Sequence, residues 1–173
     1  MIDKIYIVGP VGSGKSTLAR KISSDYDFTY GELDTIVYKP DPTSPNGNRK
    51  RDETDRDRLI SEILSSKRWI IEDSGRETFE YLWRDADSII FLEPSVSVRK
   101  FRIILRWIKQ KMHLEKCSYR PGFYMVKAMF KWTKNFEDGT DNLKERLTRY
   151  NDKVVHLRSN RDIRRYIEHT FTA

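Results

Sequence analysis

Short apolar runs alternate with helically spaced ones along nearly the whole chain. Residues 4–8, Lys-Ile-Tyr-Ile-Val, are apolar, β-branched and closed by a glycine, which predicts a buried strand. Residues 15–24 place Leu18, Ala19 and Ile22 on one helical face. A second strand is predicted over 28–33, ending at Asp34. Residues 39–53 hold three prolines, Asn46-Gly47 and many charges, and read as a loop. Leu59, Ile60, Ile63 and Leu64 mark a helix from near Thr54. A third strand covers 69–71 and is closed by Glu72 and Asp73. Phe79, Leu82 and Trp83 mark a short helix, and 88–92 a fourth strand. Helices follow over 96–113, 123–136 and 141–150, then a fifth strand over 153–157 and a last helix over 162–171.

Strands alternating with helices predict an α/β fold, a parallel sheet covered on both faces. The length of 173 residues fits a single domain, 1–173, that buries a core without disulfides. Ligands in such folds sit at the carboxyl ends of the strands. Residues 9–16, Asp34, Glu72 and Asp73 all fall there.

Composition narrows the class. Cys117 is the single cysteine, so no internal disulfide forms and a reducing, cytoplasmic setting is expected. No apolar run reaches the length of about 18 residues needed to span a bilayer, so no membrane partner is expected. The first strand is placed almost at residue 1, so no signal peptide is expected. The net charge of +7 is unevenly placed. Residues 1–95 carry 14 Lys or Arg against 18 Asp or Glu, and residues 96–173 carry 19 against 8. Most of the excess lies in 96–134, where 11 basic residues face Glu115 alone. A basic segment beside an acidic remainder points to a local anion site more than to a nucleic-acid coat.

The strongest motif is Gly9-Pro10-Val11-Gly12-Ser13-Gly14-Lys15-Ser16, the pattern G-x-x-x-x-G-K-[ST] between a strand and a helix. Glycines let the backbone wrap closely around phosphate oxygens. The loop N–H groups form a nest, and the helix N-terminus adds partial positive charge. Lys15 is then expected to reach the β- and γ-phosphates of ATP, and the Ser16 hydroxyl to ligate Mg2+. Asp34 could orient an acceptor hydroxyl, act as base, or hold Mg2+ through water; it could also simply cap a turn. Glu72 and Asp73 stand where a Mg2+-associated carboxylate belongs, and the sequence does not choose between them.

The basic segment has internal order. Phe101, Ile104, Leu105, Ile108 and Met112 share one helical face, and Arg99, Arg102, Arg106 and Lys109 another. Guanidinium groups in a line suit phosphate oxygens, which they bind in pairs. Lys116 and Arg120 follow in a hinge before Pro121-Gly122, and a second helix carries Lys127, Lys131 and Lys134. Interleaved aromatics can stack on single-stranded bases, but core packing of the helices accounts for most of Phe101, Trp107, Tyr119, Phe123, Tyr124, Phe130 and Trp132.

The order of these blocks resembles a known group. G-P-V-G-S-G-K-S-T-L-A-R-K is followed by E-L-D, Y-K-P, R-W-I-I-E-D, R-x-x-F-x-Y-L-W-R-D-A-D, I-I-F-L-E, an Arg-rich helix and K-V-V-H-L-R-S. This is similar to bacterial proteins labelled DNA topology modulation protein, or FlaR-like, which are P-loop kinases related to adenylate and shikimate kinases. The resemblance implies a five-stranded parallel sheet in the order 2-3-1-4-5, with a helical basic lid at about 96–136 after strand four. It implies that Gly12, Gly14, Lys15, Ser16 and Thr17 contact ATP and Mg2+, with Asp34 at the acceptor side and Arg76 and Arg84 around the acceptor pocket. Arg158-Ser159-Asn160 then falls where related kinases pass a loop over the adenine. The group reads W-I-I-D-G-N-Y after strand three, where this chain has Glu72-Asp73-Ser74-Gly75, so its carboxylate is one methylene longer.

Two functions follow. In the first, a small-molecule kinase binds ATP on the loop, holds an acceptor near Asp34 and Arg76, and closes a lid that brings Arg102 and Arg106 onto the transferring phosphoryl group. In the second, a nucleic-acid-associated regulator uses ATP as a switch. The chain lacks a helix-turn-helix, zinc or RNA-binding aromatic signature. DNA binding is therefore expected to be weak. The oligomeric state and the acceptor are not legible.

Overall fold

The run Lys-Ile-Tyr-Ile-Val becomes the central strand β1 (Lys4–Val8), buried at every residue but Lys4. The computed structural model describes residues 2–115, 117 and 119–171. From β1 the chain continues through α1 (Lys15–Tyr26), β2 (Thr29–Glu32), α2 (Leu33–Val37), β3 (Tyr38–Pro40) and β4 (Asn48–Lys50). Next come α3 (Glu53–Leu64), β5 (Trp69–Asp73), α4 (Tyr81–Asp85) and β6 (Ser88–Leu92). The last elements are α5 (Val96–Lys111), α6 (Phe123–Glu137), α7 (Leu143–Leu147), β7 (Val154–Leu157) and α8 (Asn160–Phe171).

Five strands pair in parallel in the spatial order β2-β5-β1-β6-β7. Counting these five alone, the order is 2-3-1-4-5. β5 and β6 are buried along their whole length, as apolar strands covered on both faces must be. One face carries Tyr6, Val8, Ile71 and Phe91 against Ile60, Trp83 and Leu143. The other carries Ile5, Ile7, Ile70 and Ile90 against Leu18 and Ile22 of α1, with Ile163 and Ile167 of α8 at its margin. Glu72 pairs in register with Ile7, and Asp73 with Val8. Successive strand residues face opposite sides, so these two acids diverge.

Several boundaries differ from those expected. β2 stops at Glu32, and Asp34 lies in the first turn of α2 rather than at a strand end. β5 runs through Glu72 and Asp73 because its pairing with β1 continues to Val8. The expected loop at 39–53 contains an antiparallel hairpin, with Tyr38 opposite Lys50 and Pro40 opposite Asn48. Its strands, Tyr-Lys-Pro and Asn-Arg-Lys, are short and carry no hydrophobic alternation; only the turn residues Asn46-Gly47 announced it. Asp52 caps α3 by accepting from the Asp55 N–H at 2.8 Å.

The largest correction concerns α5. Its apolar face of Phe101, Ile104, Leu105, Ile108 and Met112 is exposed, and its buried residues are Arg99, Ile103 and Gln110. Phe123, Tyr124 and Trp132 of the next helix are exposed as well, so core packing does not account for these aromatics. α5 leaves the end of β6 directly against the glycine-rich loop. The polar groups there select the polar face: Arg99 donates to the Pro94 carbonyl at 3.1 Å and pairs with Glu137, and Arg102 reaches the loop backbone. A small apolar cluster of Ile103, Val126 and Met129 joins α5 to α6. Arg120, just before α6, rests on the β3–β4 turn: its N–H donates to the Asn46 carbonyl at 2.8 Å and its guanidinium to the Pro42 carbonyl at 2.9 Å.

Candidate active site

Residues 9–14 leave β1 and enter α1 through two left-handed positions, Gly12 at φ 76° and Gly14 at φ 100°. A Cβ on Gly12 would stand 2.8 Å from the Arg99 carbonyl oxygen, so both φ and space demand glycine. Gly14 is the N-cap of α1, and no side chain among the described residues bonds to that helix end. First-turn N–H groups have no intrahelical acceptor. Their open end, with the positive pole of a 12-residue helix behind it, is suited to an anion. The Ser13 hydroxyl is buried in the loop without a hydrogen-bond partner among the described residues. Lys15 folds over the loop and donates to the Pro10 carbonyl at 3.2 Å.

The Ser16 hydroxyl donates to Glu72 Oε1 at 2.8 Å. Burial pushes the Glu72 carboxyl up to about 6; Lys15 and the Ser16 hydroxyl work against that rise, while Glu32 and Asp34 add to it. Asp73 is spent otherwise. It accepts the Gly75 N–H at 2.9 Å and the Arg76 N–H at 2.6 Å, and it pairs with the Arg76 guanidinium. Arg76 also pairs with Asp34. Burial opposes charge on Arg76, but Asp73 and Asp34 outweigh it and hold its pKa above the ordinary value. Asp34 keeps 63% of its side chain exposed, so one end of this chain of charges is open to a ligand.

The expected site residues separate into groups. Pro10 and Ser13 belong to the loop backbone, and Thr17 stands exposed in the first turn of α1. Val11 packs against the α5–α6 cluster. Arg102 donates to the Ser13 carbonyl at 2.6 Å. Arg106 does not join it: its guanidinium lies 3.3 Å from Glu115. Arg99 is only 1% exposed, stacks over Phe136 at 5.0 Å and secures α5 to α6. Arg84 is not brought to the site. It lies in the last turn of α4, near the entry to β6, and Lys153 donates to its carbonyl at 2.8 Å. That is the amino end of the sheet, opposite the loop. Arg158 and Ser159 follow β7 on the loop side; their N–H groups donate to Asp162 at 3.0 and 2.9 Å, the reciprocal cap that starts α8. Lys116 lies outside the described residues.

Sequence reasoning missed Arg146. Its guanidinium is buried in α7, donates to Glu80 at 2.7 Å and to the Gly75 carbonyl at 2.8 Å, and so fixes the turn that presents Arg76. Only its i, i+3 spacing from Leu143 hinted that it points inward. Glu32, which accepts from Arg20 at 2.9 Å and Tyr30 at 3.0 Å beside the site, was also passed over.

A hydroxyl and a carboxylate oxygen held together at the phosphate-loop helix are hard donors. They match Mg2+, which takes one or two protein oxygens and fills its octahedron with water and phosphate. The residues present therefore fit that ion.

The family described as AAA domain matches residues 5–117, a stretch that holds the glycine-rich loop, Asp34, Glu72, Arg76 and all of α5. The chain belongs to the AAA-domain family. Among solved structures, this AAA domain is similar to a shikimate kinase from Acinetobacter baumannii in complex with shikimate, at 14% identity and TM-score 0.58, covering 99% of this chain and 94% of that one. It is similar to TT1252 from Thermus thermophilus, at 14% identity and TM-score 0.56, over 97% and 95% of the two chains. A gluconokinase from Sinorhizobium meliloti 1021 matches at 16% identity and TM-score 0.51, over 98% and 95%. At these identities the likeness is one of fold: this AAA domain shares the α/β fold of those structures, a parallel five-stranded sheet flanked by helices. No curated protein matches the sequence.

Proposed function

We propose that the chain is an ATP- and Mg2+-dependent phosphotransferase acting on a small molecule held beside Asp34 and Arg76. One observation carries this reading: the two acids at the end of β5 part company. Glu72 turns to Ser16 and the phosphate loop, and Asp73 turns to Arg76 and through it to Asp34. A phosphate site and an acceptor site thus flank one strand end.

In this reading the backbone N–H groups of residues 11–17 and the Lys15 ammonium bind the ATP phosphates. Ser16 and Glu72 hold Mg2+, which when bound neutralises charge developing on the phosphoryl oxygens. Asp34 orients an acceptor hydroxyl and takes its proton as the acceptor oxygen bonds to the γ-phosphorus and the bond to the β–γ bridging oxygen breaks. Arg76 binds an anionic or hydroxylated part of the acceptor. Arg102 already lies against the loop and turns to the transferring phosphoryl group, while Arg158 and Ser159 border the nucleotide base. The α5–α6 pair serves as a lid on a single domain; closing it excludes water and limits hydrolysis. The order of motifs supports membership of the topology modulation group, with any DNA contact secondary to this chemistry.

The test is transfer of label from γ-labelled ATP across panels of nucleotides, sugars and small acids. Label moving into one acceptor class, and lost in Asp34→Asn, is expected. Release as inorganic phosphate with every acceptor, accelerated by DNA, overturns the reading.

A further inference from the structure

The inverted orientation of α5 leaves its apolar residues in water with no described segment over them. Phe101 and Met112 are 66% and 61% exposed, and Ile104, Leu105 and Ile108 lie between them. At 3.6 residues per turn these five occupy about a third of the circumference of a helix about 24 Å long. The opposite face is buried, with Arg99 against Glu137 and Phe136 of α6, Ile103 against Val126 and Met129 of α6, and Gln110 against Tyr119, so the apolar stripe cannot simply turn inward. The patch also widens: Trp107, beside the stripe, meets the exposed ring of Phe123 at 6.1 Å between centroids.

Charge and width select the occupant. On the helical projection Lys100 and Lys111 border one side of the stripe and Lys109 the other, and α5 contains no acidic residue. A second copy of the chain laid on this face by a twofold axis would set like borders together, cation against cation. That disfavours self-association. A single partner helix needs only a narrow seam, whereas this stripe is broad and extends sideways over Trp107 to Phe123. A broad apolar face of Phe, Ile, Leu and Met with lysines along both edges has the make-up of a helix that lies in a membrane interface. There the lysine stems run along the apolar surface and their ammonium groups reach anionic headgroups. No helix of the described residues is long and apolar enough to cross a membrane, so the contact is peripheral.

We propose that the exposed face of α5 docks this protein onto an anionic lipid bilayer. Phe101, Ile104, Ile108 and Met112 enter the headgroup boundary, and Lys100, Lys109 and Lys111 meet the lipid phosphates. The inference shares α5 with the proposed lid but not its loop contact, which is made by Arg102 from another face of the helix.

The test is co-sedimentation of the full chain with vesicles of phosphatidylcholine, with and without phosphatidylglycerol, at low and raised salt. Binding to the anionic vesicles, little to neutral ones, and weakening with salt is expected. Phe101→Ser with Ile108→Ser should lower that binding at least tenfold with an unchanged thermal midpoint, and Lys100→Glu with Lys111→Glu should do the same. Three results overturn the proposal. One is no vesicle binding, as for a face reserved for an acidic protein. Another is a dimer in sedimentation equilibrium that Phe101→Ser with Ile108→Ser dissolves, as for a second copy. The third is undiminished vesicle binding by Phe101→Ser with Ile108→Ser, as for general basic charge.

Discussion

The Ser16 hydroxyl and the Glu72 carboxylate meet at 2.8 Å across the gap between α1 and the end of β5. This bond joins the phosphate loop to the central sheet, and it places a nearly dry carboxylate beside Lys15.

Glu72 gives a pH signature. Its carboxyl is raised from 4.5 to about 6 in the folded chain, chiefly by burial. Between those values the folded state binds more protons than the unfolded one, so the stability contribution is present in full below about 4.5 and is lost as pH rises through about 6. The loss amounts to about 2 kcal/mol. Glu72→Gln keeps an acceptor for Ser16 and removes the titration. With chelator present and no nucleotide, denaturant unfolding of the variant should lack this fall and exceed the wild type near neutral pH. Identical pH profiles for the two proteins would contradict the burial assigned to Glu72.

Asp34 is half of an ion pair and largely open to solvent. If it takes the acceptor proton, Asp34→Asn should keep ATP affinity within about twofold and lower turnover by at least tenfold, because binding and chemistry use different groups. Calorimetry and a coupled assay on one preparation decide this. Full turnover in the variant would leave Asp34 as a partner of Arg76 with no part in the chemistry.

Arg76 and Arg84 make a contrasting pair. Arg76→Ala strips a buried carboxylate, Asp73, of its cation, so it should cost about 1–3 kcal/mol and abolish acceptor binding. Arg84→Ala removes an exposed side chain at the far end of the sheet, so stability should change by less than about 0.5 kcal/mol, with turnover unaltered. Comparable losses in both variants would place the acceptor elsewhere.

Much of this was legible because single residues carried it. The glycine-rich loop announces strand, turn and helix together, and runs such as Ile89-Ile90-Phe91-Leu92 leave buried parallel strands as the economical reading. What escaped depended on partners distant in the chain. Whether Glu72 or Asp73 faces the loop follows from strand register against β1. The hairpin at Tyr38 and Lys50 is held by backbone pairing between strands of three residues that show no apolar alternation. α5 has two plausible faces, and its orientation is decided by Glu137, Pro94 and Ser13, which no helical wheel contains. Arg84 was carried to the acceptor by resemblance alone, and the direction of α4 removes it.

The basic segment separates kinase from regulator. Arg99, Arg102 and Arg106 are engaged with Glu137, the Ser13 carbonyl and Glu115, which leaves few of these cations for a duplex. DNA affinity should therefore be weak and nonspecific, and ATP with Mg2+ should compete with it. A face with six or more phosphate contacts loses roughly a thousandfold or more in affinity between about 50 and 200 mM salt. Fluorescence anisotropy across that range should show no such slope. Tight, ATP-insensitive duplex binding at physiological salt, lost on changing Arg102 and Arg106 to Ala, would favour the regulator.

The central claim is that residues 9–17 hold nucleotide phosphates. Titration calorimetry of ATP with Mg2+ into wild type and Lys15→Ala measures it directly. Lys15 is the loop's own cation, folded onto the Pro10 carbonyl, and backbone N–H groups cannot replace its charge. The account predicts a saturable wild-type isotherm and an affinity at least tenfold weaker in the variant, about 1.4 kcal/mol, with both proteins folded alike by circular dichroism. Equal affinities, or no binding by the wild type, would contradict it.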